Sequence, residues 1–339
     1  MQETVLILGA RGRFGLAAAR AFADAGWRVL GHMRPGARVP AEVQGDARIE
    51  WLAADLHDTD ALVNAVRAKS GSVEVVVHAL NPAYTNTAWK AQVLPMADDA
   101  LRLCKQLNAS LMVPGNIYNF GNTMPEVLRE DTPQRAQTVK GQIRIGMEEH
   151  IRRSGVRSVV IRAGDFFGAG KGTWFDQAIV KDIAKGVFTY PGPLDVSTAW
   201  AYLPDLAQTF VKVAAKRTQL STFEVLHFAG HSVSAKQWMD ALTPLARAQG
   251  WVSNTESLRY KTLPWAIIRL GALVLPTWSG LAEMRYLWST PHRLANDKLA
   301  RLLGAEPRTP LEIAAVTALC DLGLVERNEP QRRVAPSLS

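Results

Sequence analysis

The sequence predicts an α/β protein: a Rossmann-type, doubly wound parallel sheet with a smaller, mostly helical C-terminal substrate cap. Strand and helix patterns alternate through the first half of the chain, which is typical of a parallel sheet covered by helices. A glycine-rich turn follows the first strand, as it does in folds that bind dinucleotides. Tryptophans and aliphatic residues dominate the later part, which predicts the cap. We expect a ligand-binding cleft between the two parts, at the carboxyl ends of the strands.

The individual elements are predicted from apolar periodicity and turn residues. Strands are expected at 4–8, 27–30, 49–55, 73–79, 110–113 and 158–162, and helices at 13–25, 59–68, 90–108 and 138–153. After Gly168 the pattern becomes irregular, and the segment 223–228 is expected to return to the sheet. The predicted domains are a cofactor-binding domain at 1–168 rejoined by 196–232, a cap at 169–195 and 233–326, and a disordered tail at 327–339.

Cysteine and histidine usage argues against metal sites and disulfides. The chain has 339 residues, 47% of them hydrophobic, which is enough for a large core. Its two cysteines, Cys104 and Cys320, lie far apart, which argues against a disulfide framework and a cysteine zinc site. His227 and His231 form a close pair without a third ligand nearby, so no metal is predicted.

Charge and hydropathy limit the partners that we expect. The net charge of +8 fits a basic surface with arginines that hold an anionic cofactor. Lysines and arginines are dispersed, which argues against nucleic-acid binding. The most apolar stretch, 266–275, contains Arg269 and is shorter than the roughly 20 residues that a membrane span needs. We expect it to be a buried or groove-lining helix in a cytoplasmic protein without membrane contact.

The glycine turn comprises Gly9, Gly12 and Gly15, directly after five apolar residues. Gly9 permits the tight turn, Gly12 lets backbone amides approach a pyrophosphate, and Gly15 lets the next helix pack closely on the strand. The positive N-terminal end of that helix would face the phosphates. The spacing therefore predicts dinucleotide binding rather than a merely structural turn, and the same loop adds three candidate cofactor-binding residues: Arg11, Arg13 and Phe14.

The residues after the second strand indicate which dinucleotide is bound. Sites specific for NAD place an acid here for the ribose 2′-hydroxyl, whereas a 2′-phosphate needs a cation. No acid occurs at 31–36, and Arg34 is in place, with Arg11 as a second candidate. The sequence therefore favours NADP(H) over NAD(H). The alternative for Arg34 is a solvated loop charge.

Further markers resemble the extended short-chain dehydrogenase/reductase superfamily, which includes the sugar-nucleotide epimerase/dehydratase group. The resemblance covers nearly the whole chain, and its markers are the glycine spacing, Asp55-Leu56, His78-Ala79-Leu80, Ile117-Tyr118, Arg162 to Gly168, Tyr202 to Ala207 and Leu303 to Glu312. It implies that Asp55 and Leu56 meet the adenine and that His78, Ala79 and Leu80 line the cofactor. It also implies a small-molecule substrate and a homodimer formed through the helices after strands four and five.

The catalytic groups of that superfamily do not carry over. Its Tyr-x-x-x-Lys aligns with Lys140 and Arg144, and its Ser or Thr aligns with Pro114. Arg144 can hold ribose hydroxyls but cannot act as an acid or base. Lys140, beside Arg144 and an oxidised nicotinamide, would have a depressed pKa that suits proton donation. Tyr118 is the other candidate acid. Alternatively, Lys140 neutralises a phosphate and Tyr118 forms a wall of the cleft.

The remaining candidates lie on the substrate side. Asp165, just after the sixth strand, could orient the acid or bind substrate, or it could cap a turn or pair with Arg162 or Lys140. The residues expected to line the substrate are Asn81, Tyr84, Trp174, Trp200 and Tyr202, although aromatic residues at such positions often serve packing.

Two functions follow from this pattern. The leading one is an NADP(H)-dependent oxidoreductase or epimerase-like enzyme that acts on a small or medium carbonyl or alcohol compound with a rearranged acid/base set. The alternative is a non-enzymatic NADP(H)-binding protein that senses the cofactor ratio through a partner. The loss of every standard catalytic group favours the alternative. The otherwise intact pattern of the helix that carries Lys140 and Arg144, together with the aromatic lining, favours the enzyme.

Overall fold

The fold was examined in a computed structural model, which describes residues 2–272 and 274–326. The predicted tail at 327–339 lies outside the described residues. The strands are, in chain order, β1 (Thr4–Leu8), β2 (Arg28–Met33), β3 (Ile49–Ala53), β4 (Val75–His78), β5 (Ser110–Gly115), β6 (Val127–Leu128), β7 (Ser158–Arg162), β8 (Asp165–Phe167), β9 (Val187–Tyr190), β10 (Thr198–Tyr202), β11 (Phe223–His227), β12 (His231–Val233), β13 (Arg259–Thr262) and β14 (Arg293–Leu294).

The helices alternate with the strands in the first half and gather in the second. They are α1 (Arg13–Asp24), α2 (Thr59–Lys69), α3 (Asn86–Leu107), α4 (Val139–Arg153), α5 (Leu203–Ala215), α6 (Ala235–Ala248), α7 (Trp265–Gly271), α8 (Pro276–Glu283), α9 (Tyr286–Ser289), α10 (Asp297–Leu303) and α11 (Leu311–Asp321).

A seven-stranded sheet in the order β11-β7-β5-β4-β1-β2-β3 confirms the predicted fold class, because every neighbouring pair of strands is parallel. The central strand β1 is buried on both faces. Val5 and Ile7 face the layer that contains α1 and α5, whereas Leu6 and Leu8 face α2, α3 and α4. Alternate side chains of one strand thus serve two helix layers, which explains the continuous apolar runs in the sequence.

The order of the strands places the candidate site. It reverses between β1 and β4, so the ends of these strands border a crevice between their two following helices. The helix α4, which carries Lys140 and Arg144, begins where the Thr138 side chain accepts a hydrogen bond from the Gly141 amide at 3.2 Å. This cap fixes the first turn of α4 next to the crevice.

The second part of the chain has its own aromatic core. It contains a three-stranded sheet in the order β12-β10-β8 and a pair formed by β13 and β9. Trp200, Trp238 and Phe167 pack between these strands and α6. The segment 223–228 returns to the main sheet as expected, because β11 pairs with β7, whereas β10 pairs with β8 and β12 outside that sheet.

The apolar stretch at 266–275, expected to be a buried or groove-lining helix, is buried only in part. Trp265 and Ile268 of α7 are buried, but Ile267, Leu270 and Val274 are 60%, 70% and 81% exposed. Within the ranges 2–272 and 274–326, no helix is long and apolar enough to cross a membrane.

Candidate functional site

The glycine turn is packed tightly at Gly9 and Gly15, where a side chain would meet backbone atoms. Gly9 has a φ of +78°, and a Cβ added there would lie 3.0 Å from the Ala79 carbonyl carbon. A Cβ at Gly15 would lie 2.3 Å from the Gly9 carbonyl oxygen. The start of α1 therefore rests directly on the turn after β1, and the turn rests on the end of β4.

The residues around this turn divide into exposed cations and packing groups. Arg11 and Arg34 are exposed and form no ion pair with any residue that the structure describes. Arg13 instead donates to the Gly172 carbonyl and lies 3.9 Å from the Asp176 carboxylate, so it connects α1 to the loop after β8. Phe14, expected to bind the cofactor, packs its ring against Phe210 in the core at 4.7 Å. Its side chain is therefore a packing group.

The ends of β3 and β4 form the floor of the crevice. Asp55 is exposed and accepts a hydrogen bond from the His57 amide, whereas Leu56 is buried with Leu80 packed in the same cluster. The Ala79 amide donates to the Leu8 carbonyl at 2.9 Å, which ties the end of β4 to the glycine turn. His78 is buried, and burial together with the nearby Arg144 charge lowers its pKa to about 4. The imidazole is therefore neutral at pH 7.

Lys140 is fully buried, and its ammonium is held by groups from two other helices. The Lys140 Nζ donates to Asn86 Oδ1 at 2.6 Å and lies 3.8 Å from Glu283 Oε2. It also lies 4.6 Å from the centre of the Tyr84 ring. Burial lowers the pKa of Lys140, and the Glu283 carboxylate opposes that shift. The direction matches the expectation, but its cause is burial rather than the neighbouring Arg144.

Asn86 and Glu283 were not found from the sequence. Glu283 accepts hydrogen bonds from the Val139 amide at 2.6 Å and from the Asn86 amide group at 3.0 Å. It therefore joins the end of α8 to the starts of α3 and α4. No local pattern signals this, because Glu283 and Lys140 are 143 positions apart along the chain.

Arg144 points toward the end of β4. Its Nη2 donates to Asn81 Oδ1 at 3.2 Å, and its guanidinium carbon lies 4.9 Å from the centre of the Trp89 ring. Burial lowers the pKa of Arg144, with Tyr118 and Glu148 opposing the shift. The Arg144 Nε is buried and has no hydrogen-bond partner among the described residues. The Arg144 Nε–H is thus a buried donor that no described residue satisfies.

Asp165, Tyr84 and Tyr118 form a second polar group on the substrate side. The two tyrosine hydroxyls are 3.3 Å apart, and Asp165 Oδ2 accepts a hydrogen bond from Trp288 Nε1 at 2.7 Å. Burial raises the pKa of Asp165 to about 6, and the Trp288 hydrogen bond opposes the shift. Burial and the Asp165 charge raise the pKa of Tyr118 to about 12. The two groups are therefore close enough to influence each other.

Asp165 does not form either of the ion pairs considered for it. Arg162 pairs instead with Glu148 at 2.6 Å, and both side chains are buried. Lys140 pairs with Glu283. Asp165 consequently has no cationic partner among the described residues, which is why its pKa rises rather than falls.

Aromatic side chains enclose this group, but not all of those expected to do so. Trp174 lies edge-on to Tyr84 at 6.4 Å and to Trp288 at 5.1 Å. Trp200, in contrast, is fully buried and donates to Thr198, and Tyr202 packs on Phe167 at 5.2 Å. Both belong to the core of the cap and not to the substrate lining. We define the aromatic wall as the four side chains that surround Asp165: Tyr84, Tyr118, Trp174 and Trp288.

No group of three or more metal-ligating side chains occurs in the part of the chain that the structure describes.

Trp288 could not be identified as a neighbour of Asp165 from the sequence, because the two residues are far apart along the chain.

Comparisons with known proteins agree with this geometry at the level of the fold. Residues 3–250 match the family model of the RmlD substrate binding domain. Among similar solved structures, a UDP-glucose 4-epimerase has 13% identity, coverage of 99% of both chains and a TM-score of 0.71. The Bordetella bronchiseptica enzyme WbmH, in complex with NAD⁺, has 16% identity, coverage of 95% of this chain and 98% of its own, and a TM-score of 0.70.

A third structure, the UDP-Glc/GlcNAc 4-epimerase from Campylobacter jejuni, has 14% identity, coverage of 94% of this chain and 98% of its own, and a TM-score of 0.70. At such identities the likeness shows the fold alone. The search of curated proteins found no match.

Proposed function

Since the chain belongs to the RmlD substrate binding domain family, we propose that it is an NADP(H)-binding, epimerase/dehydratase-like oxidoreductase of a small or medium carbonyl or alcohol compound. The observation that carries this proposal is the environment of the Asp165 carboxyl group. This group has a pKa raised to about 6, lies inside the aromatic wall, and is near Tyr118. A half-buried acid with a pKa near neutral pH suits proton exchange with a substrate oxygen.

Three features support a nicotinamide dinucleotide in the crevice. The glycine turn has no room for a Cβ at Gly9 or Gly15, so a ligand there would meet bare backbone amides. Arg144 Nε and His78 Nδ1 are buried polar atoms without a described partner. The structurally similar WbmH binds NAD⁺. When bound, the dinucleotide would supply hydride transfer.

The preference for NADP(H) rests on two exposed cations. Arg34 follows β2, and Arg11 lies in the glycine turn. Neither guanidinium is neutralised by a carboxylate of a described residue, and no acid occurs at 31–36. A 2′-phosphate would find two cations there, whereas an NAD ribose would lack its usual acidic partner.

The roles of ribose binding, proton exchange and substrate orientation would fall to other residues than in the superfamily pattern. Arg144 would hold ribose hydroxyls through its unpartnered Nε–H. Asp165 would exchange the proton of the substrate oxygen, and Tyr118 would orient that oxygen through its hydroxyl. Lys140 would act as a positioning residue, because Asn86 and Glu283 already engage its buried ammonium, which lies against the Tyr84 ring of the aromatic wall.

The buried position of Lys140 also favours the alternative, a non-enzymatic NADP(H)-binding sensor. At the position where the superfamily has its catalytic tyrosine, this chain has a side chain that is 0% exposed. In that case Lys140 and Glu283 serve only to hold the cap on the cofactor domain.

Turnover of NADPH with a panel of aldehydes and ketones would separate these functions, with Asp165→Asn as the test variant. We expect the variant to lose about 100-fold in kcat/KM and to bind NADPH as the wild type does, because the amide keeps the volume but cannot exchange the proton. The matched control is Asp182→Asn, an exposed acid that pairs with Lys185. Unchanged turnover in Asp165→Asn would exclude the proposed role of Asp165, and binding without any turnover would favour the sensor.

A further inference from the structure

A cluster of exposed apolar side chains projects from the second part of the chain. It consists of Ile267 and Leu270 on α7 and Val274 and Leu275 in the turn to α8, which are 60%, 70%, 81% and 47% exposed. We call these four residues the apolar tip. The other large apolar side chains that are exposed in the described chain lie far apart along the sequence: Leu94, Ile313 and Leu324. A cluster of this kind, unlike scattered residues, indicates an interaction surface.

The apolar tip is held in place from beneath. Trp265 and Ile268, on the opposite side of α7, are buried in the aromatic core of the cap. The Trp265 indole donates to the Pro191 carbonyl at 2.8 Å, and its ring lies near Trp288. The helix therefore has an anchored apolar face and a presented apolar face, and the anchored face keeps Ile267 and Leu270 turned toward solvent.

The charge around the apolar tip determines what would cover it. No acidic residue occurs between Glu256 and Glu283, whereas the same segment contains Arg259, Lys261 and Arg269. All three side chains are exposed, and none lies within ion-pair distance of a carboxylate of a described residue, although the charge of Lys261 also acts on Asp182, which pairs with Lys185. Apolar side chains flanked by unpaired cations match an anionic lipid surface, which takes up the apolar groups and attracts the charges.

We propose that the apolar tip docks this protein onto the surface of an anionic lipid bilayer. The contact is peripheral, because no described helix is long enough to cross the membrane. A second copy of this chain would be a poorer partner, since two such segments would bring like charges together. This surface is distinct from the cofactor crevice, so the inference does not depend on the proposed function.

The helix α8 separates the apolar tip from the candidate site. The helix α8 follows the apolar tip and ends at Glu283, which binds Asn86 and lies near Lys140. A membrane contact at one end of α8 is therefore one helix away from the groups that hold Lys140.

Cosedimentation of the full chain with vesicles tests this inference. We expect binding to vesicles of phosphatidylcholine mixed with phosphatidylglycerol, and much weaker binding to vesicles of phosphatidylcholine alone. The double variant Ile267→Ser/Leu270→Ser should lower the partition coefficient at least tenfold, because two large apolar side chains no longer leave water. The matched control Leu94→Ser/Ile313→Ser removes two exposed apolar side chains elsewhere and should bind as the wild type does.

A charge variant sharpens the test. Arg259→Gln/Lys261→Gln/Arg269→Gln should weaken binding to the anionic vesicles only, and added salt should have the same effect on the wild type. Circular dichroism checks that each variant is folded. Absence of wild-type binding to anionic vesicles would overturn the inference. So would a loss of self-association in Ile267→Ser/Leu270→Ser without any effect on vesicle binding, because the occupant would then be a second copy.

Discussion

The two halves of the crevice depend on different kinds of contact. On the cofactor half, the decisive contacts are between backbone atoms, such as those of Gly9 with Gly15 and of Gly9 with Ala79. On the substrate half, the decisive contacts join side chains from distant elements, such as Lys140 with Glu283 and Asp165 with Trp288. The first half follows the pattern of its superfamily, whereas the second departs from it at every standard catalytic position. The cofactor half thus depends on backbone packing, whereas the substrate half depends on pairs of side chains.

The largest expected effect is on the cofactor half. In Gly15→Ala the new Cβ would lie 2.3 Å from the Gly9 carbonyl oxygen, so backbone must move. We expect a loss of about 2–4 kcal/mol in the free energy of unfolding, together with loss of NADPH binding. The matched control is Gly146→Ala on α4, where an added Cβ meets nothing within 4 Å and the helix should become slightly more stable. Equal stability of the two variants in urea unfolding would contradict the packing argument.

The second effect concerns the links across the substrate half. Glu283→Ala leaves the buried Lys140 ammonium without its carboxylate and should cost about 1–3 kcal/mol in urea unfolding. Lys140→Met removes the charge itself and should cost less, while NADPH binding is kept. Combining the two changes should cost less than the sum of the single effects, because each removes the same interaction. Strict additivity would show that the pair is not coupled.

The third effect is a pH dependence of stability. The pKa of Asp165 is raised from 3.8 to about 6 in the folded state, so the folded protein binds the proton more tightly than the unfolded chain does. The Asp165 contribution to the free energy of unfolding should therefore fall as the pH rises from about 4 to about 6 and stay low above that. Since the side chain is partly accessible, we expect about 1–2 kcal/mol. Asp165→Asn should remove this component, and an unchanged pH profile in the variant would contradict the assignment.

The smallest effect is expected at the edge of the cofactor half. Arg34→Asp replaces an exposed cation by an acid and should reduce the NADPH-over-NADH preference about tenfold, which corresponds to one charge-assisted hydrogen bond. Its matched control is Arg301→Asp, an equally drastic charge change at an exposed position on α10. A similar loss in both variants would indicate a general effect of net charge instead of a 2′-phosphate contact.

The same division explains what could be predicted from the sequence. The six strands expected in the first half all occur, with ends displaced by up to three residues, because the apolar periodicity that predicts them is local. The tight packing expected of Gly9 and Gly15 is observed for the same reason.

The expectations from the sequence were wrong or incomplete where tertiary contacts decide the position of a side chain. The exposure of Ile267 and Leu270 could not be read from an apolar run, because hydropathy does not tell which face a helix buries. The depressed pKa of Lys140 was expected, but its partners Asn86 and Glu283 come from remote elements. Trp200 was placed in the substrate lining and Trp288 was missed, since a tryptophan in the core and one at a cleft look alike in sequence.

A paired fluorescence titration of the wild-type protein with NADPH and with NADH tests the central claim most directly. The claim is that the cofactor half binds a nicotinamide dinucleotide although the substrate half lacks the standard catalytic residues. We expect saturable binding of both, with NADPH about tenfold tighter because Arg11 and Arg34 face a 2′-phosphate. Equal affinities would contradict the role of these arginines. Absence of binding to either dinucleotide would contradict the account as a whole, for the enzyme and the sensor alike.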